Sequence, residues 1–295
     1  MKHSRMNASL QSGLPPRSMA DWVRDKTGGG IVGTLALALA IFVFALIIFG
    51  PLTNMLLWAV TERWYFPHTF PLQYGFEFWH RVFKPTGNAV ESLQYSLMIA
   101  VFTVMFCLSL AVPAGYALAR LRLPARALIL LLFLVPQAFP NIPVYINIAR
   151  LFYQFGWHGT VPAVVLVHTL HGMVYAVWIA TAAFSAVDPE CEAAARDIGA
   201  GPIRTFFTIS FPSAFPGLVA SGIFVFLESL DEFTGTYFVG APEITTLPML
   251  MFRAGMEGNY QVASITALLL LVPSVLFMFV VERFLRADVL AGVGR

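Results

Sequence analysis

The chain has 295 residues, 58% of them hydrophobic and 12% charged, with a formal net charge of +2. A soluble domain carries about 25% charged residues, so this composition excludes an ordinary water-soluble fold and points to a polytopic membrane protein. The near-neutral balance gives no ground for nucleic-acid binding, and two cysteines, Cys107 and Cys191, make no disulfide framework.

Residues 1–30 are polar, carry Lys2, Arg5, Arg17, Arg24 and Lys26, and read as an N-terminal tail. The apolar run that follows begins too late and is too long for the h-region of a cleaved signal peptide. Six apolar runs are predicted to cross a membrane: approximately Ile31–Leu57, Ser96–Ala119, Ala127–Ile148, Val161–Phe184, Phe215–Leu230 and Val262–Leu285. About 20 apolar residues are needed to cross hydrocarbon, and the first, second, fourth and sixth runs meet this easily. The third contains Pro136, Pro140 and Pro143, which a bundle tolerates when neighbours re-satisfy the freed backbone. Gln137, Asn141 and Asn147 in that run either satisfy the interrupted backbone or line a cavity. The fifth is short unless it begins at Pro212, and it ends in acid. The fold class expected is an all-α integral membrane protein with six transmembrane helices.

Lys and Arg concentrate on the cytoplasmic side of membrane proteins. With the N-terminus inside, the inner segments hold 13 of the 18 basic residues, among them Arg120, Arg122, Arg126, Arg196, Arg204, Arg283, Arg286 and Arg295. The outer segments hold Arg63, Arg81, Lys84, Arg150 and Arg253. Both termini are therefore expected in the cytoplasm, with Cys107 at lipid depth and Cys191 in a reducing compartment. An outer loop at about 61–92 is dense in aromatics, from Trp64 to Trp79, which suits a headgroup belt. A second outer segment spans about 232–260.

The segment from Asp188 to Pro212 is a polar island between two apolar runs. Asp188 suits an N-cap and Pro189 the first helical position. Glu190–Ile198 then forms a short helix, with Glu190 and Glu192 in its favourable acidic first turn. Gly199 suits a left-handed C-terminal cap. Gly201-Pro202 restarts a second short helix through Ile209, and Pro212 admits the chain to the fifth span. The product is a helix–turn–helix foot on the membrane surface, with small side chains at Ala193, Ala194 and Ala195.

The sequence E-A-A-A-R-D-I-G-A followed by F-F-T-I-S-F-P resembles the EAA loop of the permease subunits of ABC importers. Gly199, Ile209, Phe211 and Pro212 fall at family spacing. G-Y-A-L-A-R at Gly115–Arg120 and S-L-D-E-F at Ser229–Phe233 extend the resemblance from about Ser92 to the end of the chain. It implies a permease core over 93–285 with a coupling loop at 186–212, after a first helix and aromatic loop over 31–92 and before a C-terminal tail at 286–295. It also implies that Glu192, Ala193, Ala194, Asp197, Gly199, Ile209 and Pro212 couple the chain to a cytoplasmic ATPase. Counted back from Gly199, the family's Glu falls at Ala193, so Glu192 sits one position early, about 100° around the helix. The implied assembly has two permease chains, identical or different, two ATPase subunits that hold ATP and Mg, and an extracytoplasmic solute-binding protein in a bacterial cytoplasmic membrane.

Two groups of residues are candidates for the solute pathway. Glu228, Asp231 and Glu232 lie at helical spacings, either as an acidic mouth for cations or as an interfacial helix end. His168, His171, Tyr175 and Trp178 share a face of the fourth span, either to hold an ammonium by cation–π attraction or to hydrogen-bond between helices. His168 and His171 lack acid or thiolate ligands on that helix, so a metal site is not expected. No G-x-x-x-x-G-K-[ST] phosphate loop, nucleophile elbow or H-E-x-x-H motif occurs, so neither ATP hydrolysis nor another enzyme activity is expected of this chain. R-D-I-G-A and S-L-D-E-F look like the polyamine-type branch, whereas V-P-Q-A-F-P-N-I-P-V-Y at Val135–Tyr145 looks like the sugar branch. A stand-alone secondary transporter would need an ion gradient and inverted halves, which the sequence does not display. A structural scaffold would leave Gly199 dispensable.

Overall fold

The computed structural model describes residues 31–292 of the chain, with side chains over 33–279. The predicted N-terminal tail and Arg295 lie outside the described residues. Two compact units divide between Leu57 and Trp58.

The first unit carries most of α1 (Ile31–Ala59). Its apolar side chains are exposed on every side, from Leu35 to Leu56. A helix apolar all round needs a non-aqueous surround, which is the condition of a membrane span.

The second unit opens with a feature the sequence reading lacked, a small hairpin. β1 (Thr61–Arg63) pairs antiparallel with β2 (Gln73–Tyr74). A short helix, α2 (Glu77–Phe83), follows, and Trp79 donates its indole N–H to the Ala59 carbonyl at 2.8 Å. Trp58 stacks on Trp64 with ring centroids 4.4 Å apart. The aromatics of this loop are thus partly consumed in holding it together.

Next come α3 (Ala89–Arg120), α4 (Arg126–Phe133), α5 (Val135–Ala138), α6 (Asn141–Phe155) and α7 (Val161–Ser185). The third predicted span is corrected here: Ala127–Ile148 is not one helix but parts of α4, α5 and α6. Phe139 is extended, at φ −96° and ψ 145°, because the ring of Pro140 disfavours the helical region for the residue before it. Pro140, which has no N–H to donate, becomes the N-cap of α6. Asn147 donates to the carbonyl of Pro143 at 2.8 Å, the backbone-satisfying role considered for it.

After the foot, described below, come α10 (Phe211–Asp231), α11 (Thr234–Val239), α12 (Leu247–Met256) and α13 (Tyr260–Gly292). The second predicted outer segment thus contains two helices, and α13 runs past Leu285 into the predicted tail. Five helices among the described residues are long and apolar enough to cross a membrane, with the fourth running unbroken over Pro202–Asp231.

The centre is a three-helix packing of α3, α7 and α10. Cys107, Val177, Ala180, Phe184, Leu218 and Val225 fill it. A second cluster joins α6 to α7 and α11 through Tyr145, Val164, Val167 and Val239. Ser96 of α3 accepts the Leu247 N–H at 2.8 Å and so seats the start of α12.

Candidate functional site

The polar island folds as its caps dictate. In α8 (Pro189–Asp197), Asp188 Oδ1 accepts the Glu190 N–H at 2.9 Å and Pro189 occupies the first turn. Gly199 adopts φ +89°. Its N–H donates to Arg196 O at 2.9 Å, and the Ala200 N–H donates to Ala195 O at 3.0 Å, which is the paired closure of a Schellman end. A short α9 (Pro202–Thr205) restarts the chain.

One expectation needs correction. The second helix does not end at Ile209 to be re-entered at Pro212. It passes through a π turn, Phe206–Ser210, directly into α10. Pro212 lies in the first turn of α10 as counted from that π turn, the part of a helix that best tolerates a missing N–H.

The displaced glutamate has an unforeseen place. Glu192 is buried, at 3% exposure, and points into its own chain. Its Oε1 accepts from Arg120 Nε at 2.9 Å and from Ser210 Oγ at 2.8 Å, and its Oε2 lies 3.5 Å from Arg196. Arg120 also donates to the Val187 carbonyl at 2.7 Å. Breaking one side of such a buried pair costs roughly 3–5 kcal/mol, because the surviving charge is left uncompensated. Tyr116, one helical turn earlier, sets its ring edge-on to Phe206 at 4.9 Å and to Phe184 at 5.4 Å. The G-Y-A-L-A-R segment is thus a socket for the foot, legible in sequence only as a motif.

The outward face of the foot is different. Ala193, Ala194, Asp197 and Gly199 are exposed, and Ile209 is half-buried. Ile198 and Ile203 are 88% and 76% exposed. The sequence reading singled out neither isoleucine. Their signal was present: Ile198 directly precedes the glycine that ends α8, and Ile203 follows the Gly201-Pro202 pair that starts α9.

The fourth-span candidates separate. His168 is buried, with Nδ1 2.8 Å from Ser229 Oγ and Nε2 2.8 Å from Thr236 Oγ1. Both ring nitrogens are engaged, so it joins α7 to α10 and α11. His171 approaches Tyr145 Oη at 2.8 Å through Nδ1 and Asn141 Oδ1 at 3.2 Å through Nε2. The Tyr145 hydroxyl also lies 3.2 Å from Glu232 Oε2. A single hydroxyl proton serves both neighbours, so the direction of this chain of bonds follows the His171 tautomer. Tyr175 stacks on Phe224, and Trp178 is partly exposed.

The acidic group also separates. The helix stops at Asp231, so Glu232 leaves the face predicted to hold all three acids. Glu232 turns and accepts the Gly235 N–H at 2.7 Å, in the first turn of α11. Asp231 is exposed and Glu228 half-buried.

Residues 111–289 match the family described as binding-protein-dependent transport system inner membrane component. The trehalose/maltose transport system permease protein MalG of Thermococcus litoralis is 24% identical over 212 residues, 70% of this chain and 76% of that protein. The putrescine transport system permease protein PotI of Escherichia coli is 27% identical over 139 residues, 46% of this chain and 50% of that protein. A solved bacterial ABC transporter involved in the import of the acidic polysaccharide alginate aligns with a TM-score of 0.65 at 16% identity, covering 92% of this chain and 99% of that one.

Proposed function

This chain belongs to the family of binding-protein-dependent transport system inner membrane components, and from that premise we propose how it serves as the permease subunit of an ABC importer. The segment Arg126–Phe155 completes six crossings with the five long helices, both termini face the cytoplasm, and the foot lies on the cytoplasmic surface. There it docks in an ATPase subunit, which holds ATP and Mg and carries the catalytic residues. Closure of two such ATPases drives this chain and a second permease chain between inward and outward states, and an extracytoplasmic solute-binding protein delivers the solute. The membrane is the cytoplasmic membrane of a bacterium.

The observation that carries the reading is the exposure of Ile198 and Ile203, with Phe207 exposed as well, on a foot that is covered by no other part of the described chain there. The two isoleucines, large apolar side chains exposed within one short turn region, fit a partner surface better than water. Replacing both with Asp in the full chain tests it. ATPase subunits that copurify with the unaltered chain are expected to be lost from the variant. Undiminished copurification and undiminished solute-stimulated hydrolysis would refute docking through this foot.

For the solute, we favour a polyamine or another small organic cation. Support comes from the R-D-I-G-A pattern, the likeness to a putrescine permease and the exposed carboxylate of Asp231. A sugar-type solute is the second reading, favoured by the Val135–Tyr145 segment and the likeness to a trehalose/maltose permease.

A further inference from the structure

We infer that Arg120, Glu192 and Ser210 lock the foot to the end of α3, so that the foot and that helix move as one rigid lever. The inference rests on the reading that the foot docks on an ATPase, and it assigns Glu192 a positioning role inside its own chain.

The chain connects the foot to α7 and α10, not to α3. A foot tied only by its peptide links would pivot at Val187 and at the π turn. The structure adds a third attachment, across 72 residues of sequence. Arg120 reaches both arms of the pivot: Nε to Glu192 on α8 and the guanidinium Nη2 to the Val187 carbonyl just before it. Ser210, at the end of the π turn, closes on the same Glu192 oxygen from the other side. One carboxylate thus gathers α3, α8 and the entry to α10.

Apolar packing follows the same axis. Tyr116 packs edge-on against Phe184, at the end of α7, and Phe206, at the start of the π turn, and these two rings also meet each other at 5.9 Å. A charge-assisted network that is buried and fully partnered resists bending, because any rotation strands a desolvated charge. The π turn is where the winding departs from the regular ladder between the foot and α10. The lock lies where a hinge would otherwise absorb motion. Force applied to the exposed isoleucines therefore reaches α3 without being lost in the foot's own loops.

The test uses the full chain with its ATPase partners in lipid nanodiscs. Nitroxide labels are placed on Cys191, which is exposed, and on Leu121→Cys just beyond α3, while Cys107 is buried. Pulsed electron resonance reads the label distance without nucleotide and in the complex trapped with ATP and vanadate. A single narrow distance, the same in both states, is the expected result. In Arg120→Ala and in Glu192→Gln the trapped distance should shift and broaden while the ATPase still copurifies. A shift in the unaltered chain, or variants that keep its narrow distance, would overturn the lock. Loss of copurification from the unaltered chain would instead sink the docking reading. The nucleotide-free samples need no ATPase and still decide the lock, by broadening or failing to broaden in the variants.

Discussion

Gly115 and Ala180 meet backbone to backbone where α3 crosses α7: a Cβ built on Gly115 would lie 2.8 Å from Ala180 Cβ and 2.9 Å from the Ala180 carbonyl carbon. Membrane helices associate by such close approach, since lipid tails offer no hydrophobic incentive to pack. The contact is to backbone, so it cannot relax by a rotamer change. Gly115→Ala is therefore expected to destabilise the purified protein by about 1–3 kcal/mol, and Gly115→Leu by more. Thermal melts of the purified protein in one detergent would check the order; a Leu variant as stable as the parent would contradict the geometry.

His168 gives a second prediction. It is 1% exposed, with both ring nitrogens bonded to hydroxyls on other helices. Removing the ring in His168→Ala opens a cavity and strands Ser229 and Thr236, each unpaired buried group costing about 1–3 kcal/mol. The melting temperature should fall sharply. The apparent affinity of the surviving protein for its solute should not change, because His168 faces no open space. A change in affinity at unchanged stability would return His168 to the pathway.

The sequence disclosed the foot because its signals are local. Asp188, Pro189 and Gly199 each act through neighbours within a few residues, so caps and turn could be read in order. Glu192 could not be placed that way. Its burial depends on Arg120 and Ser210, brought to it by α3 and the π turn. The continuity of α9 into α10 was hidden for a related reason: Pro212 looks like a boundary unless the wider winding before it is known. The third span failed on Pro140, where the extended Phe139 breaks the helix outright. His168 has the interhelical bonding considered for it, but its partners Ser229 and Thr236 could not be named because they lie on other helices, and Glu232 left its expected face because the helix ends at Asp231.

Gly199 offers a local test of the foot. A Cβ there meets nothing within 4 Å, so space is not the constraint, but φ is +89°. A β-branched residue pays about 1–2 kcal/mol to adopt a left-handed backbone, whereas Asn visits it readily. Gly199→Val should therefore loosen the helix end and speed exchange of the Ala200 amide, which donates to Ala195 O. Gly199→Asn should leave exchange nearly unchanged. Equal exchange in the two variants would show that the cap does not set the foot's stability.

Asp231 and Glu232 are neighbours with different work, and separating them tests the solute reading. Glu232 accepts the Gly235 N–H in the first turn of α11, so Glu232→Gln should cost about 1 kcal/mol of stability by removing the charge from that bond, whatever the solute. Asp231 is exposed. On the proposed cation reading its exposed charge attracts the solute, and Asp231→Asn should leave the fold intact. In proteoliposomes holding the whole importer, with putrescine and trehalose as separate probes, Asp231→Asn should slow putrescine uptake several-fold. The difference from the parent should shrink as salt rises, because exposed charges are screened beyond about 8 Å at physiological ionic strength. Trehalose uptake by the parent, unaffected by Asp231→Asn, would favour the sugar reading and remove the acidic residue from solute recognition.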